Sequence, residues 1–277
     1  MLKYPESYFI SYYYSLKNIN ILSIMTQIIC IANQKGGVGK TTTAVNLAAA
    51  LAYLEKPTLL IDLDPQGNAT SGLGVNKAEI EYFIYDGLAG GVKPQDLLLD
   101  TEIEHLRLIP SNIELSGFDL ETVDVPNRER ILQEFLAPIV ADYEYIIIDC
   151  PPALSLLTVN ALTTSTSVLV PLQCEFYALE GLGQLLESIK RVRLALNPTL
   201  GLCGILLTMF DKRLNLAFQV AEEARKYFGE YVFNSIVPRS VRLSEAPSFG
   251  RPIILLNKSS VGSKSYLSLA DEIINRQ

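Results

Sequence analysis

The chain has 277 residues, enough for one large α/β domain or two small ones. Almost half of them are apolar, yet no run is both long and uncharged enough to span a bilayer, and four cysteines (Cys30, Cys150, Cys174, Cys203) sit in apolar runs without C-x-x-C spacing, which excludes a disulfide scaffold and favours buried, reduced thiols. The net charge of −7 argues against nucleic acid as a partner of the whole surface, but residues 1–175 carry 10 Lys/Arg against 21 Asp/Glu while residues 176–277 carry 13 against 9, so a basic face is available in the C-terminal part.

In chain order, residues 1–24 are aromatic (Tyr8, Phe9, Tyr12, Tyr13, Tyr14) and poor in charge, without the basic and apolar regions of a signal peptide. They read as a disordered leader or a mis-called start, with Met25 directly before the first strand and residues 25–277 as a single domain. Ile28 to Ala32 is an apolar run that reads as a buried strand, and Thr42 to Leu54, rich in Ala and Leu, reads as a helix. Between them stands Gln34-Lys35-Gly36-Gly37-Val38-Gly39-Lys40-Thr41-Thr42. Strand, glycine loop and helix form the context of a phosphate-binding loop, in which glycines let backbone N–H groups turn toward phosphate oxygens. Lys40 is positioned for the β- and γ-phosphates and the Thr41 hydroxyl for Mg²⁺. The loop carries Gln34 where the usual pattern has glycine, and a second lysine, Lys35. A dinucleotide fingerprint is excluded because its third glycine would fall at Thr42.

Pro57 to Asp62 is a second apolar run, ending in two carboxylates, Asp62 and Asp64, before Pro65 and Gly67 force a loop. Residues 76–130 mix short helical stretches with a strand at Leu106 to Ile109; His105, the single histidine, reads as a surface residue beside an acidic patch. Ile131, Phe135 and Ile139 suggest an amphipathic helix from Arg128 to Ala141. Tyr145-Ile146-Ile147-Ile148-Asp149-Cys150-Pro151-Pro152 is a strand ending in an acid, the Walker B pattern, which assigns Asp149 to a magnesium-bound water. Strands at Val168 to Leu172 and Leu202 to Met209 alternate with helices at Glu180 to Leu196 and Leu216 to Phe228, and a last helix runs from about Gly262 to Asn275. The alternation predicts an α/β fold of the P-loop NTPase type, a mostly parallel twisted sheet with helices on both faces.

Together these features resemble the ParA/Soj family of chromosome and plasmid partitioning ATPases, with its deviant Walker A loop. The resemblance covers nearly all of the chain from Met25 onward and rests on Ala32 to Thr42, Asp62-Leu63-Asp64-Pro65-Gln66-Gly67-Asn68-Ala69-Thr70, Asp149-Cys150-Pro151-Pro152 and Pro238-Arg239-Ser240-Val241-Arg242-Leu243-Ser244-Glu245-Ala246-Pro247. It implies a cytoplasmic, nucleoid-associated ATPase that uses ATP and Mg²⁺. Two subunits face each other across two nucleotides, and Lys35 crosses to the partner's phosphates as a cation in trans. Nucleotide contacts are implied for Lys35, Gly36, Gly37, Val38, Gly39, Lys40, Thr41 and Thr42, with Pro238 and Arg239 bordering the adenine. Catalysis is implied for Lys35, Lys40 and Asp64, the last orienting the attacking water; the metal set is Thr41, Asp62 and Asp149, the two acids acting through water. The family's dimers bind DNA without sequence preference, and a ParB-like centromere-binding protein stimulates hydrolysis. Candidate DNA contacts are Lys190, Arg191, Arg193, Arg213, Arg225, Lys226, Arg242 and Arg251.

Three neighbouring readings share the loop. A MinD-like membrane-cycling ATPase ends in a basic amphipathic helix, whereas this chain ends in mixed charge without aromatics, so stable membrane insertion is not expected. A nitrogenase-iron-protein-like reductase needs cysteines that hold a cluster, and Cys150 has no placed second ligand. A relative that positions non-DNA cargo is barely separated by sequence.

Overall fold

A computed structural model describes residues 26–276; the leader expected over residues 1–24, and Met25 with it, lies outside the described residues. Among the described residues eight strands form one sheet: β1 (Gln27–Ile31), β2 (Thr58–Asp62), β3 (Leu99–Asp100), β4 (Leu106–Ile109), β5 (Tyr145–Asp149), β6 (Ser167–Gln173), β7 (Gly201–Phe210) and β8 (Val232–Pro238). Their order is β3-β4-β2-β5-β1-β6-β7-β8, parallel throughout except for β3 against β4. The chain leaves β1 toward one side of the sheet and later returns to build the other. The loop after β1 therefore opens at a topological switch point, where open α/β sheets bind ligands.

Both faces of the sheet are buried, which is why its strands read as continuous apolar runs. Ile29, Ile31, Leu60 and Ile147 point to one face, under α1 (Lys40–Tyr53) and the C-terminal helix Val261–Asn275, whose Tyr266, Leu269 and Ile273 pack there. Cys30, Ile61, Ile146 and Ile148 point to the other, where they meet Leu157 and Leu162 of α3 (Leu156–Thr164), Leu182 and Leu186 of α4 (Ala178–Ala195) and Ala217 and Val220 of α5 (Asn215–Phe228). Each element except one matches its expected place to within a few residues. The helix expected over Arg128 to Ala141 is broken instead: a 3₁₀ turn at Arg128–Arg130, an α-helix at Ile131–Leu136 and a second 3₁₀ turn at Val140–Asp142. Ile139 is buried as expected, but Ile131 and Phe135 are only partly so, and Leu132 and Leu136 do the burying. Pro138 accounts for the break, since its ring removes an N–H donor and blocks continuation of the helix. His105 lies in the turn before β4, with φ +67° and a side chain 40 % exposed, as a surface residue should.

Two glycines fix how the segment after β8 returns to the sheet edge at which the glycine loop opens. Gly74 follows α2 (Asn68–Gly72) at φ +79°, and Gly250 has φ +62°. A Cβ on Gly250 would lie 2.6 Å from the Gly74 Cα, so neither backbone tolerates a side chain at this approach. Gly250→Ala combines a left-handed φ with that clash and should cost about 1–3 kcal/mol, lowering the thermal midpoint by several degrees. Thermal denaturation of the variant checks this, and an unchanged midpoint would mean the two segments are not pinned together.

Candidate functional site

The loop after β1 turns sharply into α1 through two left-handed glycines. Gly37 and Gly39 adopt left-handed φ values of +72° and +89°, and Gly39 directly precedes α1. No acidic side chain lies in the first turn of α1, so the positive end of the helix dipole is left for an anion. The loop is tied to its neighbours at both ends. Asn33 Nδ2 donates to the Pro171 carbonyl at 2.7 Å, and the Thr208 hydroxyl donates to the Val38 carbonyl at 2.8 Å. These bonds run from the loop to β6 and β7, so its shape is set by the sheet edge.

Lys40 is 7 % exposed and its Nζ donates to the Lys35 carbonyl at 3.2 Å. Burial lowers its pKa, while Asp149, Cys150 and Asp64 pull the other way. Lys35 is placed differently. Its ammonium stands at the surface, 2.5 Å from Glu175 Oε2.

Opposite Lys40, parallel register sets Asp62 of β2 beside Asp149 of β5. Neighbouring strands are about 4.8 Å apart, so two carboxylates in register share one small, dry volume. Both residues are fully buried. Burial is the first cause that raises Asp149 well above the ordinary carboxylate range and the Asp62 charge the second; Asp62 is itself pushed up to about 6, mainly by burial. Asp62 has partners: Oδ2 accepts from the Thr70 N–H at 2.8 Å and the Thr70 hydroxyl at 2.7 Å, and Oδ1 from the Asp64 N–H at 3.2 Å. Both oxygens of Asp149 are buried with no hydrogen bond of normal geometry, although the Thr41 hydroxyl lies near enough to favour the charged form. An orphaned carboxylate beside a helix N-terminus and a threonine hydroxyl suits Mg²⁺, which takes one or two protein oxygens and fills the rest of its octahedron with water and phosphate. Among the described residues no three His, Cys, Asp or Glu side chains converge as a closed metal cage, in keeping with a metal shared with its ligand.

Asp64 lies past the end of β2 rather than within it, 7 % exposed, with Oδ1 accepting from the Gln66 N–H at 3.0 Å. Its carbonyl accepts from the Ser111 hydroxyl at 2.9 Å, and the Ser111 N–H donates to the Thr70 hydroxyl at 3.0 Å. A buried Asp62–Thr70–Ser111 chain thus holds the Asp64 loop against the end of β4, and Ser111 carried no sequence signal that could have disclosed it. Met209, with φ +48° and its side chain over Gly39, is the other unforeseen neighbour. A cleft of about 280 Å³ adjoins Thr41 and Thr42 and is lined by Asn46, Asn68, Pro247 and Arg251. Pro238 and Arg239 do not line it; Pro238 ends β8 and Arg239 is exposed, its N–H donating to the Phe210 carbonyl at 3.1 Å.

The candidate DNA residues are not gathered on one surface. Lys190, Arg191 and Arg193 end α4, and Arg225 and Lys226 end α5, so topology puts all five at the sheet edge opposite the phosphate loop. Arg213 and Arg242 emerge just after β7 and β8, at the loop's own edge. Arg213 is doubly bonded to Asp211 at 2.9 and 2.6 Å, and Arg251 to Glu102 at 3.0 and 2.9 Å.

A family profile described as an AAA domain matches residues 26–202. The chain is 57 % identical over 250 residues to the chromosome partitioning protein ParA of Myxococcus xanthus, covering 90 % of this chain and 88 % of the relative. It is 54 % identical over 249 residues to the sporulation initiation inhibitor protein Soj of Bacillus subtilis, covering 90 % and 98 %. Among solved structures, cobyrinic acid a,c-diamide synthase from Mycobacterium smegmatis with bound ADP and magnesium superposes with a TM-score of 0.81 at 35 % identity, covering 91 % of this chain and 95 % of that one.

Asp149→Asn removes a buried charge that has no partner in the free chain. The metal-free variant should be more stable than the parent by about 1–3 kcal/mol near neutral pH. The sign follows from linkage: the folded pKa of Asp149 lies above its unfolded value of 3.8, so the parent loses stability as pH rises from about 4 toward the folded pKa, and the variant, which keeps only the buried Asp62, loses less. Magnesium with ADP should stabilise the parent and do less for the variant. Thermal melts between pH 4 and 8 measure both, and a less stable metal-free Asp149→Asn would contradict the assignment.

Proposed function

The chain belongs to the ParA/Soj family of chromosome-partitioning ATPases, and from that premise we propose that it is an ATP-dependent DNA-partitioning switch acting as a single catalytic domain. The observation that carries this reading is the orphaned Asp149 carboxylate facing a buried Lys40 beside a glycine loop and a helix N-terminus. Backbone N–H groups from Gly36 to Thr41 cradle the β- and γ-phosphates, and Lys40 leaves the Lys35 carbonyl to meet them. Thr41 and Asp149 are the residues that would hold magnesium, Asp149 by way of a water, and the metal when bound would neutralise charge on the phosphate oxygens. Asp62, its oxygens committed to Thr70 and Asp64, positions the loop that carries Asp64. Asp64 orients the water that attacks the γ-phosphorus as the bond to the β–γ bridging oxygen breaks. Lys35 is supplied by a second copy and stabilises the charge on the transferring group.

ATP binding joins two copies at their nucleotide edges, and the dimer holds DNA through phosphate contacts. ATP dependence favours residues whose spacing changes when those edges meet, which are Arg213 and Arg242. The five basic residues at the opposite edge lie away from that junction. A ParB-like protein stimulates hydrolysis, ADP dissolves the dimer, and the chain cycles on and off the nucleoid. A membrane-cycling alternative finds little support. Among the described residues no helix is long and apolar enough to cross a membrane, and the apolar stripe of Val261–Asn275 is already spent on the sheet.

Lys40→Ala should abolish nucleotide binding. Asp64→Ala should retain ATP, lose hydrolysis by about 10²- to 10⁴-fold and remain dimeric on DNA. Sedimentation and filter retention at low salt measure this, and Asp64→Ala turnover at the parent rate would remove Asp64 from the chemistry. Retention should weaken steeply with salt, and Arg242→Ala should reduce that slope. Equal retention of ATP- and ADP-loaded protein would contradict the switch.

A further inference from the structure

Lys35, the lysine that the proposed function sends to a second copy, is already paired within its own. Its Nζ lies 2.5 Å from Glu175 Oε2, and the other oxygen of that carboxylate, Oε1, accepts from Gln173 Nε2 at 2.5 Å. Gln173 is the last residue of β6 and Glu175 stands in the turn that leads to α4. The acid is therefore presented by the sheet edge, aimed by a neighbour, and not by the loop that carries the lysine. The start of the loop is fixed to the same strand: Asn33 donates to the Pro171 carbonyl, and its Oδ1 accepts from the Lys35 N–H at 3.0 Å. Backbone and side chain of Lys35 are thus both referred to β6. The two charged side chains are 48 % and 49 % exposed, so water competes for each of them. Such a pair biases a side chain without locking it.

We propose that Glu175 is an internal counter-ion that parks Lys35 in its own subunit and sets the nucleotide concentration at which the lysine transfers to the phosphates of a second copy. This rests on the reading that Lys35 acts in trans. While parked, the lysine is not competent to cross, and the apparent affinity of a two-state protein falls by its competent fraction. A carboxylate carries one negative charge. A triphosphate offers several, and a diphosphate lacks the group nearest the crossing lysine. The contest is therefore won by ATP and lost by ADP, which sharpens the difference between the two nucleotides beyond what the loop's own contacts supply. Gln173 is a positioning residue in this device, because it turns the carboxylate toward the lysine.

Glu175→Gln in the full chain removes the charge and keeps the shape. Sedimentation velocity against rising Mg·AMP-PNP should show half-dimerisation at about two- to five-fold lower nucleotide than the parent, the range that an exposed ion pair is worth. Gln173→Ala should move the midpoint the same way by less, and serves if Glu175→Gln does not fold. In the nucleotide-free protein, acylation of the Lys35 amine by acetic anhydride, followed by mass spectrometry, should be faster in Glu175→Gln than in the parent. A midpoint at or above the parent's, or unchanged Lys35 acylation, overturns the parking role, and if Lys35→Ala then fails to dimerise the trans reading stands without it. Lys35→Ala that dimerises like the parent overturns both.

Discussion

A parallel sheet brings the carboxyl ends of its strands to one edge, and here that edge collects negative charge that the chain alone does not balance. Asp62 and Asp149 are neighbours in register and fully buried, and Asp64 stands two residues beyond the first of them. Backbone amides and Thr70 answer Asp62, and Lys40 answers part of the rest. Asp149 is left over. A buried carboxylate without a partner is costly, and a stable fold keeps one where a ligand will complete it. The glycine loop and the bare N-terminus of α1 then supply donors for an anion next to a buried carboxylate that suits a cation, which is the charge pattern of a metal–nucleotide complex.

The two lysines of the loop are five residues apart and live in opposite surroundings. Lys40 is desolvated and faces Asp149 and Asp64 at the buried centre of the site. Lys35 points away from that centre, to a carboxylate on the rim. The sheet anchors both ends of the loop through Asn33 and Val38, so the difference is built into the backbone and does not depend on side-chain whim. In the proposed function one loop serves two nucleotides, which makes catalysis conditional on a second copy.

Much of this was legible in the residues. The phosphate loop, the terminal acid of β5 and the alternation of strands and helices are short-range patterns, in which neighbouring residues alone set the geometry. The contacts that tune the site are not of that kind. Glu175 meets Lys35 across 140 positions, and Ser111 meets Asp64 across 47. Nothing in either neighbourhood marks those residues, because register and topology bring them together. The broken helix at Ile131–Leu136 shows a local limit: periodicity alone over-extended it, and Pro138 outweighed the apolar spacing. The basic residues show how topology divides what charge counted along the chain pools. Charge counted along the sequence joined α4 and α5 termini with Arg213 and Arg242, and the alternation of strand and helix places them on opposite edges.

The claim that the loop's lysines serve different nucleotides is tested most directly by mixing two inactive proteins. Lys35→Ala keeps a loop able to hold ATP but offers no lysine to a partner; Lys40→Ala holds no ATP but still offers Lys35. A mixed dimer contains one complete site. Steady-state ATP hydrolysis of the mixture should therefore rise well above that of either variant alone and peak near equal proportions. Hydrolysis that only averages the two separate rates at every ratio would contradict the account.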